Sequence, residues 1–83
     1  MIFKTISGSA YEVDETNNRV RRLYGNKAPT KLQSADGEWK EFSHMTEVVV
    51  GKQVLFIWKE AAEGYIMPAT TTNLVKEING DMQ

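Results

Sequence analysis

Apolar and polar residues alternate along this chain over short stretches, and glycines and polar clusters separate the stretches from one another. Most stretches are rich in valine, isoleucine, threonine and aromatic residues, which favour β-strands. The pattern predicts strands at residues 2–6, 10–14, 19–24, 38–42, 54–58 and 65–72, and a last strand or short helix at 73–78. The clusters "SGS", "ETNN" and "SADG" are typical of turns. The first three strands lie close together in sequence, which predicts an antiparallel meander.

The segment "VLFIW" (54–58) is apolar at every position. This pattern is typical of a strand buried on both faces, either in the middle of a sheet or in a subunit interface. Gly51 precedes it and predicts a bulge or a tight turn. Six to seven short strands predict an all-β fold, a small antiparallel barrel or a strongly bent sheet of SH3-like or related kind. We expect one β domain at 1–79 and a frayed C-terminal tail at 80–83.

The composition supports a folded domain but limits what can stabilise it. The chain has 83 residues, of which 41% are hydrophobic and 25% are charged, so it holds one small core. It has no cysteine, which excludes disulfides and thiolate zinc sites, and we expect neither a metal nor a cofactor. A small core without such support predicts a homo-oligomer, most simply a dimer.

The charge balance and the apolar runs narrow the classes of partner. A net charge of −1 disfavours general nucleic-acid binding, although a local basic patch keeps a weak nucleic-acid-binding barrel as an alternative. The longest apolar runs are far shorter than a membrane span, so no membrane partner is expected. The N-terminus lacks the pattern of a secretory signal, and the absence of cysteine agrees with a cytoplasmic location.

Half of the ten basic residues lie in "RVRRLYGNKAPTK" (19–31), which contains no acid. In a strand, alternation places Arg19 and Arg21 on one face and Arg22 on the other, with Val20 and Tyr24. One interpretation is a solvated edge strand that its charges protect from aggregation, and this is the commoner outcome for a run of charges. The other is an anion site, because arginine forks and a glycine-containing loop bind phosphate.

Arg22 is the arginine most expected to be enclosed, because it shares a face with apolar side chains. An enclosed guanidinium needs an anionic or acceptor partner. That partner is either a group from outside the chain or an internal acid such as Glu12.

Threonines and aromatic residues complete the candidate site. Alternation places Thr70 and Thr72 on one face of a strand. The threonines are explained either by their preference for β-strands or by hydrogen bonding of their hydroxyls to a ligand. Phe42, Phe56 and Trp58 are expected in the core, whereas Tyr24, Trp39 and Tyr65 lie beside turns or loops and are candidates for exposure. The candidate ligand-binding residues are Arg19, Arg21, Arg22, Tyr24, Lys27, Thr30, Trp39, Thr70 and Thr72.

No residues form a catalytic pattern. The chain contains no nucleophile elbow, paired-carboxylate motif or metal-ligand spacing, so we expect no enzyme and no catalytic residue. His44 lies three residues from both Glu41 and Glu47, but the surrounding pattern is not helical, and a surface histidine is expected.

The spacing "TxSGSxYEVD…RVRRL…DGEWKEF…VGKQVLFIW…TTTNLV" covers most of the chain and resembles small uncharacterised proteins encoded in bacteriophages and prophages. The resemblance implies an accessory protein that binds and disables a host factor in the host cytoplasm. With the basic stretch, it leads us to expect a non-enzymatic anti-defence protein that sequesters a small anionic ligand, such as a nucleotide or cyclic nucleotide immune signal. The alternative is a protein–protein inhibitor or adaptor that docks on a host protein.

Overall fold

The computed structural model describes residues 1–25, 36–59 and 69–79. These ranges contain seven β-strands and no helix, which confirms the all-β prediction. The strands are β1 (Ile2–Thr5), β2 (Ala10–Asp14), β3 (Arg19–Tyr24), β4 (Lys40–Met45), β5 (Leu55–Trp58), β6 (Ala69–Thr71) and β7 (Val75–Asn79). The last element is therefore a strand, and the predicted tail at 80–83 lies outside the described residues.

All seven strands belong to one antiparallel sheet in the order β6-β5-β4-β3-β2-β1-β7. Strands β1, β2 and β3 form the predicted meander. Strands β3 and β4 pair only at Arg19 with Glu41 and at Val20 with Lys40, so the second half of β3 separates from β4.

The sheet is strongly bent, because its two edge strands are neighbours in sequence. Only residues 72–74 connect β6 to β7, and such a link spans about 15 Å at most. Across a flat sheet, six strand spacings would separate the two edges by about 29 Å. The chain therefore curls until the edges approach each other, and Val50 forms a parallel bridge with Val75 near this point.

Turn residues adopt the backbone conformations that their sequence predicts. Asn18 ends the "ETNN" turn with φ of 50°, in the left-handed region that asparagine tolerates. Gly51 has φ of 88° and lies in a tight turn between β4 and β5, as predicted.

The core fills the concave side of the bent sheet. Phe56 stacks on Trp58 with ring centroids 5.5 Å apart, and Phe42 packs beside them, which confirms the core prediction for these three residues. The buried core cluster consists of Phe3, Tyr11, Val13, Val20, Phe42, Val54, Phe56, Trp58 and Val75.

In the single chain, the segment 54–58 is buried on one face only. Val54, Phe56 and Trp58 are buried, whereas Leu55 and Ile57 point to the outer face and are partly exposed. The expectation of burial on both faces is therefore wrong for one copy, because the described elements cover only the concave side. The described residues contain no apolar helix of membrane-spanning length.

Candidate functional site

Strand alternation in β3 divides the three arginines between the two faces of the sheet. The side chains of Arg19 and Arg21 lie on the outer face and are 39% and 33% exposed. The side chain of Arg22 lies on the inner face, like that of buried Val20, and is only 8% exposed. The prediction that Arg22 is the enclosed arginine is confirmed.

On the outer face, each arginine pairs with an acid from the neighbouring strand. The β2–β3 register sets Arg19 opposite Asp14 and Arg21 opposite Glu12. Arg19 Nε donates to Asp14 Oδ2 at 2.9 Å, and Arg21 Nη2 and Nε lie 2.7 and 2.8 Å from Glu12 Oε1. These pairs restrict both guanidinium groups to defined positions.

Asp14 is also bound by the turn that follows it. The side-chain amide of Asn17 donates to Asp14 Oδ2 at 2.8 Å. This hydrogen bond, and after it the one from Arg19, lowers the pKa of Asp14 from its ordinary value of 3.8. The carboxylate is therefore held in the charged form that fixes Arg19.

Trp39 lies against both outer arginines. The guanidinium carbons of Arg19 and Arg21 are 4.4 and 4.5 Å from the centre of the Trp39 ring, within cation–π range. Trp39 is only partly buried. We call these three side chains, with the carboxylates of Asp14 and Glu12, the Trp39 surface. It combines an aromatic ring with two oriented guanidinium groups and has balanced charge.

On the inner face, the carboxylate of Asp36 binds Arg22. Arg22 Nε lies 2.6 Å from Asp36 Oδ1, and Nη2 lies 3.3 Å from Oδ2. The Gly37 amide also donates to the Arg22 carbonyl at 2.7 Å. Arg22 therefore does have an internal acid as a partner, but that acid is Asp36 rather than Glu12, which pairs with Arg21.

A small cavity lies behind Arg22, where β3 separates from β4. Its volume is about 20 Å³. It is lined by Tyr11, Val20, Arg21, Arg22, Glu38, Lys40, Phe56 and Trp58. A cavity of this size holds about one water molecule and is far smaller than a nucleotide site. The side chain of Lys40 lies over the Trp58 ring, with Nζ 5.5 Å from the ring centre.

The two candidate threonines form hydrogen bonds within the fold. Thr70 Oγ1 accepts the indole N–H of Trp58 at 2.9 Å. Thr72 is buried; its Oγ1 accepts the Val54 amide at 3.0 Å and donates to the Asn73 carbonyl at 2.8 Å. Both hydroxyls therefore support the inner face of the sheet near its β6 edge.

The seven candidate residues within the described ranges do not converge on one place. Arg19, Arg21 and Trp39 form the Trp39 surface, whereas Arg22, Thr70 and Thr72 face inward. Tyr24 is exposed at the end of β3, as predicted. Lys27 and Thr30 lie outside the described residues, as does Tyr65.

Asp14 and Asp36 were not among the sequence candidates, and Glu12 was expected only as a possible partner of Arg22. The pairing of Glu12 with Arg21 and of Asp14 with Arg19 could have been predicted, because a four-residue turn at 15–18 sets these residues opposite each other in a hairpin. The pairing of Asp36 with Arg22 could not be predicted from the local sequence, because it depends on the path of the chain between β3 and β4.

The described ranges contain no group of histidines and acids that could hold a metal ion. Within the same ranges, every buried side-chain nitrogen or oxygen has a hydrogen-bond partner. His44 is exposed on β4. The described residues therefore offer no orphaned polar group directed at a bound ligand.

Comparison with known proteins assigns this chain to no family. The chain matches no family model, no curated protein and no solved structure.

Proposed function

We propose that this protein is a non-enzymatic accessory protein that acts by docking on a protein partner through the Trp39 surface. The observation that carries the proposal is the contact of Trp39 with both Arg19 and Arg21 on the outer face of the sheet. Tryptophan and arginine are the residue types that most often dominate the energy of protein–protein interfaces. The resemblance to phage-encoded proteins favours a bacterial host protein as the partner.

The geometry favours a macromolecular surface over a small ligand. The arginines are already paired with Asp14 and Glu12, so a lone anion would compete with fixed carboxylates. The same pairs restrict the rotamers of the guanidinium groups before binding, which lowers the entropy lost on association. A partner that contacts the Trp39 ring, together with the remaining guanidinium N–H groups, uses this preorganised surface without breaking the ion pairs.

Affinity capture with matched variants tests the proposal. Tagged wild-type protein, Trp39→Ala and the control His44→Ala are each used to capture proteins from a bacterial host lysate. His44 is exposed near the end of β4, whereas Trp39 lies just before the start of this strand. A partner that binds wild type and His44→Ala but is lost with Trp39→Ala supports docking. Identical capture by all three proteins contradicts it.

Arginine-to-lysine variants sharpen the result. Lysine keeps the charge but loses the planar group that stacks on Trp39 and forms two-point contacts. Arg19→Lys and Arg21→Lys should therefore weaken capture of the same partner, while melting temperature stays near the wild-type value, because surface ion pairs contribute little to stability.

A second candidate is sequestration of a small anionic ligand such as a nucleotide or cyclic nucleotide. Arg19 favours this second candidate. Within the described part of the chain, only the Nε–H group of Arg19 forms an internal hydrogen bond. Its other N–H groups are free to bind phosphate at the edge of the Trp39 ring. Because the cavity beside Arg22 has a volume of only about 20 Å³, a site that encloses a nucleotide next to the arginines would need a second copy, and this candidate includes a homodimer.

Native mass spectrometry and calorimetry test the second candidate. The expected result is a dimer that carries a co-purified anion and releases heat with a member of a nucleotide panel. A clean monomer with no heat toward any nucleotide removes this candidate and leaves protein docking standing.

A further inference from the structure

A second surface lies at the other end of β4 from the Trp39 surface. It is an open cleft of about 580 Å³ beside the segment that follows β4. The residues that line it are Met1, Glu15, Met45, Thr46, Glu47, Val48 and Ile78. Met45 lies six positions after Trp39 in the chain, which corresponds to about 20 Å in an extended strand. The two surfaces share no residue, and they come nearest in sequence where Glu15 of the cleft follows Asp14 of the Trp39 surface.

The floor of the cleft is an extension of the hydrophobic core. Met1, Met45 and Val48 pack against the core cluster and remain partly exposed. Ile78 adds an apolar side chain that is 39% exposed. Methionine side chains are flexible and polarizable, and they adapt to the shape of an apolar partner.

Two acids border this apolar floor. Glu15 and Glu47 line the cleft and are exposed. Neither takes part in the ion pairs of the described residues, whose acids are Asp14, Glu12, Asp36 and Glu41. The ammonium group of Met1 donates to the Val13 carbonyl at 3.0 Å. The cleft therefore presents an apolar floor, a hydrogen-bonded ammonium group and two carboxylates that form no ion pair within the described ranges.

We propose that this cleft docks a short segment of a partner protein that carries an apolar anchor between lysine or arginine residues. The apolar side chain would cover Met1, Met45, Val48 and Ile78, and the basic residues would pair with Glu15 and Glu47. Charge complementarity selects this occupant, because an acidic segment would meet like charges at the rim. A chain with this cleft and the Trp39 surface has two separate contact surfaces, as an adaptor requires.

Methionine-methyl NMR with two short peptides tests the proposal. One six-residue peptide has two leucines between lysines, and its matched control has glutamates in place of the lysines. The lysine peptide should shift the Met1 and Met45 methyl signals saturably, and the glutamate peptide should bind at least about tenfold more weakly. Met45→Leu, Met67→Leu and Met82→Leu assign three of the four methionine signals, and the remaining signal belongs to Met1. No movement of either methyl signal, or equal binding of both peptides, overturns the proposal.

Charge variants locate the binding. Glu15→Gln combined with Glu47→Gln should weaken the lysine peptide several-fold, whereas Glu41→Gln, which removes an acid that pairs with Lys59 elsewhere, should leave its affinity unchanged. Unchanged affinity in the double variant contradicts the assignment of the rim acids. Trp39→Ala should not alter peptide binding, so failure of this proposal and failure of docking at the Trp39 surface are distinguished.

Discussion

Arg22 and Asp36 form a two-point ion pair that ties the end of β3 to the turn before β4. Their closest atoms, Arg22 Nε and Asp36 Oδ1, are 2.6 Å apart, and the Arg22 side chain is almost fully enclosed. The Arg22 carbonyl accepts the Gly37 amide in the same turn. The enclosed arginine of the basic stretch therefore has a structural role, and it holds together the two sides of the chain where β3 and β4 separate.

Arg22→Ala should lower the free energy of unfolding by about 1–3 kcal/mol, because it removes charge-assisted hydrogen bonds from an enclosed position. Binding through the Trp39 surface should persist, since Arg22 lies on the opposite face. Thermal melting and affinity capture on the same variant measure both effects. Unchanged melting with loss of binding would instead assign Arg22 to a ligand site.

A double-mutant cycle isolates the Arg22–Asp36 pair. Arg22→Ala, Asp36→Ala and the double variant should show a coupling energy within the range of about 0.5–3 kcal/mol. Strictly additive losses would mean that the two residues stabilise the fold independently.

Gly25→Ala should destabilise the protein through a direct clash with Arg22. A Cβ at this position would lie 2.6 Å from Arg22 Nη1 and 2.8 Å from Ser9 Oγ. We expect a loss of about 1–3 kcal/mol in chemical denaturation, as for other overpacked sites. In the Arg22→Ala background, the same substitution should cost less, because the contacts with Arg22 Nη1 and Cζ are gone and only the contact with Ser9 Oγ remains. An equal loss in both backgrounds would contradict this explanation.

Thr72→Val should lower stability by about 1–3 kcal/mol, because it leaves the buried Val54 amide without its acceptor. Thr72→Ser keeps the hydroxyl and should recover most of the loss. Thr71→Val is the matched control, since Thr71 is exposed, and its effect should be within about 0.5 kcal/mol. Equal melting temperatures for the three variants would exclude this role of the hydroxyl.

Acid should weaken the fold partly through Asp14. Because folding lowers the pKa of Asp14, its contribution is present above the ordinary value of 3.8 and is lost as the pH falls through the folded pKa. The melting temperature of Asp14→Asn should therefore fall less steeply than that of the wild type below about pH 4. The melting temperature of Asn17→Ala should show an intermediate dependence on pH. Melting curves from pH 7 to pH 2 check this, and identical acid limbs for all three proteins would disprove it.

Local patterns were sufficient for much of the fold. The predicted bounds of β2 and β3 agree with the structure, because polar turn residues surround both strands and their alternation is regular. The prediction for β4 was two to three residues too early: Gly37 still belongs to the preceding turn, where it bonds to Arg22, and pairing with β5 extends to Met45. Strand ends depend on the partner strand as well as on propensity.

The sequence by itself determined the all-β class, the first meander, the aromatic core and the enclosure of Arg22. Each of these follows from alternation or turn chemistry within a few residues, so no distant part of the chain is needed to predict it. The tertiary structure alone decided that Asp36 is the partner of Arg22, that Trp39 contacts Arg19 and Arg21, and that the sheet bends until β6 and β7 approach. The first two relationships join residues that are far apart in sequence, and the third requires all seven strands to pair in order. They depend on the path of the connecting segments and on the curvature that packing around one small core imposes.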